Sequence, residues 1–206
     1  MDFNPENFGP AVARILALDG NGERRSALRA EPCSSQEARR EIAKHSAREL
    51  FPNASEPDAA LAGLWLYFSC FEEAHQLIPD SNTSDTQYWH AILHRREPDA
   101  GNAAYWFRKV GRHPIYHALG IEAAAIIRKH PEAEFRVGRW DPYDFVEFCE
   151  RARRQPGSKQ ELAAQEIQHA EWKLLFQHCA RVQASGMNPG GARTASAGRQ
   201  GKAGVR

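Results

Sequence analysis

Two histidines four residues apart, His90 and His94, are followed three positions later by Glu97, and on a helix all three donors fall within roughly 60° of one another. Such a face suits a divalent transition metal, which needs three or four N or O ligands with one position open to water. The preceding segment ends FEEAHQL and a short turn follows, so it packs antiparallel to the first. The candidate metal ligands are therefore Glu72, His75, His90 and His94. Arg96, Glu97 and His113 form a candidate ligand-binding set, because a guanidinium grips the carboxylate or phosphate of a small anionic molecule.

Packing offers a plainer account of the same residues. The histidines border an apolar stripe of Trp89, Ile92 and Leu93, where an imidazole is commonly satisfied by a nearby carboxylate or carbonyl. Arg96 projects between Trp89 and Leu93 and needs an acid, with Glu72, Glu73 and Asp99 as candidates, while Arg95, Arg108 and Lys109 read as outward-facing. Glu72-x-x-His75 is echoed by Glu166-x-x-His169, a spacing used in carboxylate-bridged di-iron bundles. With 18 Glu and nine His, chance supplies about 0.8 such pairs, so two of them specify little. No Gly-x-Ser-x-Gly elbow or phosphate-cradling glycine loop is present, and Cys179, though next to His178, points about 100° away on a helix.

The elements that must position these groups are helices. Pro10 to Leu18 reads as a short first helix. SSQEARREIAKHSAREL reads as one helix opened by Ser34 and Glu37 and stopped at Phe51-Pro52. An apolar helix capped by Ser55 or Asp58 runs to about Leu77, and a new helix starts near Asp85 and ends by Glu97, ahead of Pro98. Asp99 caps the next, whose Ala103, Trp106, Phe107 and Val110 form one apolar face before Gly111. Short helices follow over 114–117 and 121–129, then one from Pro142 to Arg154 capped by Asp141. The last helix opens at Ser158-x-x-Glu161, carries Leu162, Ile167, Trp172, Leu175, Phe176 and Cys179 on its buried stripe, and fades near Ala184.

Composition bounds the function classes. The 206 residues are 42% hydrophobic, with five Trp and ten Phe, enough for a substantial core. The net charge of +1 lacks the positive field of a dedicated nucleic-acid binder. The four basic residues beyond Ala184 face no acid there, leaving a mildly acidic body and a basic, glycine-rich tail read as flexible. The longest apolar run, Ala59 to Phe71, is 13 residues, short of the about 20 that a membrane span requires. Four scattered cysteines without a CxxC pair, and an N-terminus without a basic start and apolar core, lead to an expectation of free thiols and a cytoplasmic location.

The stretch YWHAILHRREPDAGNAAYWFRKVGRHP, Tyr88 to Pro114, with His75 upstream, resembles a family of uncharacterised bacterial and fungal proteins sharing a segment of this kind. The resemblance implies that His90, His94, Arg95, Arg96, Glu97, Asp99, Asn102 and His113 belong to a shared polar cluster, and it transfers no activity.

The expected protein is thus an all-α, irregular bundle of about seven or eight helices over residues 1–184, with a disordered tail over 185–206. Two functions fit it. One is a small-ligand-binding or metal-assisted hydrolytic domain using a divalent transition metal. The other is a non-enzymatic scaffold in which one hairpin, resembling a tetratricopeptide repeat at Ala103, Phe107 and Pro114, binds a protein partner.

Overall fold

The computed structural model describes residues 2–78 and 83–181. The expected tail over 185–206, the end of the expected domain at 182–184, and the Pro79-Asp80 turn lie outside the described residues. Among those described there are ten α-helices, three 3-10 turns and no strand. The helices are α1 (Pro10–Ala17), α2 (Gln36–Ile42), α3 (Ala47–Leu50), α4 (Pro57–Tyr67), α5 (Phe71–Leu77), α6 (Ser84–Arg96), α7 (Ala100–Val110), α8 (Tyr116–Lys129), α9 (Pro142–Ala152) and α10 (Lys159–Ala180).

Local chemistry sets most boundaries. Asp99 accepts from Asn102 N at 3.0 Å, Asp141 from Tyr143 N at 2.8 Å and Ser158 from Glu161 N at 3.1 Å, each satisfying an orphan donor of the first turn. Two breaks raise the helix number above the sequence reading, and one merger partly offsets them. The segment read as one helix from Ser34 breaks into α2 and α3, because Ser46 and Glu49 close a capping box of their own, and the first cap is Ser35 rather than Ser34. The apolar helix breaks into α4 and α5 at Ser69, whose φ of 58° lets its N–H and that of Cys70 return to the Leu66 and Trp65 carbonyls. Conversely, the expected helices over 114–117 and 121–129 are one, α8. Gly120 interrupts nothing there: its backbone stays helical, and a Cβ would meet Trp140 no closer than 3.5 Å, an ordinary van der Waals contact.

Two hydrophobic clusters make the core. The larger surrounds α4 and takes in α1, α6, α7 and the C-terminal half of α10. The smaller lies beneath α8, α9 and the N-terminal half of α10. The 22-residue α10, about 33 Å long, spans both. Every residue of α4 except Asp58 is buried. Its Gly63 admits α6 at close range, since a Cβ there would sit 2.5 Å from Cζ2 of Trp89, while Trp172 of α10 donates to the Gly63 carbonyl at 2.8 Å.

Helix α6 is polar in sequence yet buried everywhere except Ser84 and Gln87. Burial on that scale makes an unpartnered polar side chain costly, and the charged ones on this helix are paired. Tyr88 and Arg95 project within about 20° of each other and both meet Glu171 of α10, Tyr88 Oη at 2.9 Å and Arg95 through its two terminal guanidinium nitrogens. Arg95, expected to face solvent, is instead fully buried in this ion pair and lies over the ring of Phe145. Arg96 points elsewhere. It donates to the Leu66 carbonyl at 3.1 Å and to Ser69 Oγ at 3.0 Å, and covers the ring of Phe71.

The expectation of free thiols throughout fails at one place. Cys33, ahead of α2, and Cys70, at the start of α5, are joined by a disulfide across a Cα–Cα distance of 4.5 Å, which withdraws the support free cysteines lent to a reducing compartment. Cys149 and Cys179 are free and buried. No helix among the described residues is long and apolar enough to cross a membrane.

Candidate functional site

His90 and His94, one turn apart on α6, project within about 40° of each other toward the side where α5 brings His75. The ligand atoms of His75, His90 and His94 all lie within 4.8 Å of one another. The His90 ring lies between His94, stacked with centroids 4.8 Å apart, and Trp106 of α7, stacked at 3.9 Å. His75 meets both edge-on, at 5.1 and 5.8 Å. His90 and His94 are only 5% and 8% exposed, whereas His75 is exposed and forms the solvent side of the group.

Burial, with His94, His75 and Lys109 adding repulsion, pushes the His90 imidazole down to about 4. Burial also lowers His94, against the opposing pull of Glu97. Both rings are therefore neutral near pH 7 and carry the lone pair that a metal needs. His90 Nδ1 is buried and has no hydrogen-bond partner. His94 Nδ1 lies 3.1 Å from Glu97 Oε2, and a proton shared there leaves Nε2 as the acceptor, which the Asn102 amide approaches at 3.2 Å. Beside the group, the Lys109 ammonium sits 4.3 Å over the Trp106 ring, the one that stacks on His90.

The remaining sequence candidates go to other places. Glu72 is on α5, but it lines a separate cleft with Glu31, Cys33, Arg39 and Glu73. Arg96 is spent on the Leu66 carbonyl and Ser69. The His113 imidazole joins Asp85 and His178 in a second group whose ligand atoms also lie within 4.8 Å of one another. The echoed Glu166-x-x-His169 spacing is engaged elsewhere, Glu166 with Arg25 and His130, and His169 with Glu23.

The sequence candidates do not include Asp85, His178 or Trp106, and Lys109 reads there only as an outward-facing charge. By periodicity Trp106 belongs to the apolar face of α7 with Ala103, Phe107 and Val110. Its position at the rim of that face, one helical turn before Val110, was the available signal. Asp85 and His178 stand 93 residues apart, and only the tertiary arrangement brings them together. Comparisons with protein families, curated proteins and solved structures found no match for this chain.

Proposed function

We propose that His75, His90 and His94 hold a divalent transition metal, and that the chain is a metal-dependent domain that binds a small anionic ligand and assists its hydrolysis. The convergence of three imidazoles from two helices onto one 4.8 Å group carries this reading. Neutral rings, an unpartnered buried His90 Nδ1 and a carboxylate behind His94 support it. Three imidazoles leave a tetrahedral ion one position for water, whose pKa an ion such as zinc lowers to about 7. Exposed His75 would complete the ligand set from the solvent side, and Trp106 with Lys109 would supply an aromatic wall and a positive charge for the ligand's anionic group. Lys109 thereby takes the anion-binding part expected of Arg96, which is spent on Leu66 and Ser69.

Elemental analysis of protein purified without a histidine tag tests the reading, backed by Zn²⁺ titration of the wild type and of the His90→Ala, His94→Ala double variant. A near-stoichiometric metal that the double variant loses, with helix content by circular dichroism retained, is expected. Wild-type protein that neither carries metal nor takes up Zn²⁺ at micromolar concentration would overturn it. A double variant that melts lower while losing no binding would favour the scaffold.

A further inference from the structure

The other histidine group joins three distant parts of the chain. Asp85 belongs to the first turn of α6, His113 to the link between α7 and α8, and His178 to the last turn of α10. Asp85 Oδ1 lies 2.7 Å from His113 Nε2 and 3.4 Å from His178 Nε2, and the two rings are 5.2 Å apart at 71°. Backbone geometry holds the set in place. Gly111, with φ of 63°, ends α7, and Pro114 follows His113 directly, so the link is a short, fixed corner. Thr83 caps α6 and keeps Asp85 in the first turn.

Burial is graded across the group in the way an accessible ion site requires. The His113 side chain is fully enclosed and Asp85 nearly so, while the His178 side chain remains 29% exposed. His178 also lines a cleft of about 660 Å³ with Pro114, Ile115, Leu174 and Gln177. One carboxylate and two imidazoles thus converge, and the most exposed of the three, His178, stands at the edge of that cleft.

We propose that Asp85, His113 and His178 form a second metal site, a two-histidine, one-carboxylate set for a first-row divalent cation, with its open positions toward the cleft. Donors bound to one ion at about 2.0–2.2 Å stand about 3–3.5 Å from each other, so the Asp85–His178 spacing is already right and the Asp85–His113 spacing needs to open by a few tenths of an ångström. Mixed N/O donors select manganese, iron, cobalt, nickel or zinc over magnesium and calcium, which prefer oxygen throughout. Binding would move the shared proton of His113 from Nε2 to Nδ1, at the expense of the 3.4 Å contact that Nδ1 accepts from Ile115 N. The site is independent of the three-imidazole group, since Asp85 projects from α6 about 140° from His90 and about 180° from His94.

Co²⁺ titration of the full chain, followed by its visible absorption and by melting temperature, tests the proposal. The variants are His75→Ala, His178→Ala and the two combined; both side chains are at least partly exposed, so neither change empties the core. Asp85→Asn serves as a second probe. The His75→Ala protein is expected to retain one equivalent of Co²⁺ and a metal-dependent rise in melting temperature, both lost in the combined variant and at least tenfold weakened by Asp85→Asn. A His75→Ala protein that binds no Co²⁺, or one whose Co²⁺ survives both His178→Ala and Asp85→Asn, overturns the proposal. If instead the wild type binds a single equivalent that persists in His75→Ala and vanishes in His178→Ala, this site stands and the three-imidazole reading falls.

Discussion

His94 shows how a half-exposed neighbour controls a buried ring. Its Nδ1 faces the Glu97 carboxylate at 3.1 Å, so the charge on Glu97 decides which nitrogen keeps the proton and which offers a lone pair. Glu97→Gln removes that charge with little change of shape. Outer-shell partners of this kind are worth about 10–100-fold in metal affinity, and the variant is expected to lose that much in a Zn²⁺ competition assay. Its melting temperature without metal should stay within a degree or two of wild type, because Glu97 is itself exposed, Gln can still bond to the ring, and a neutral His94 forms no ion pair to lose. Equal affinity for the variant would detach Glu97 from the site. The i, i+4 spacing of His90 and His94 is legible in sequence because helical geometry alone places both on one face. His75 required the register of a second helix, and Glu72, on that same helix, turns to another cleft because no local rule fixes how α5 rotates against α6.

Among elements, α6 and α10 are fastened by a buried ion pair that periodicity conceals. Glu171 lies four residues from both Ile167 and Leu175, squarely within the apolar stripe of α10, and a lone carboxylate there demands a buried cation. The demand is readable, but its answer, Arg95, stands 76 residues away and reads as a solvated charge on its own helix. Helix starts are legible for the opposite reason: Asp99, Asp141 and Ser158 act within three residues of themselves. The break at Ser69 has no glycine or proline to announce it. Glu171→Leu strands Arg95 and Tyr88 without their acceptor and is expected to cost about 3–5 kcal/mol in urea denaturation, whereas Arg95→Met with Glu171→Leu should recover most of that loss. Additive losses in the double variant would mean that the two side chains act separately.

Over the whole molecule, the histidines that the fold buries set its response to acid. His90 and His169 are both pushed down to about 4, chiefly by burial, and His94 is lowered for the same first reason. In the unfolded chain each titrates near 6.5. Between those values the unfolded state binds protons that the folded state refuses, so the stability contributed by the neutral rings is complete above about pH 6.5 and is lost as pH falls toward 4. Asp85 works in the same direction at lower pH. Its carboxylate is held well below the ordinary value of 3.8 by His113 and His178 despite the opposing effect of burial, so its contribution drains away only below that value. The metal-free protein is therefore expected to melt at progressively lower temperature from pH 6.5 to 4, before most surface carboxylates titrate. His90→Gln and His169→Gln, which place an uncharged group in each position, should flatten that slope even if each lowers stability at pH 7. A slope unchanged in the combined variant would assign the acid response to carboxylates instead. Bound Zn²⁺ should raise the melting temperature at pH 7 and lose its effect over the same acid range, because protons and the ion compete for the same imidazole lone pairs.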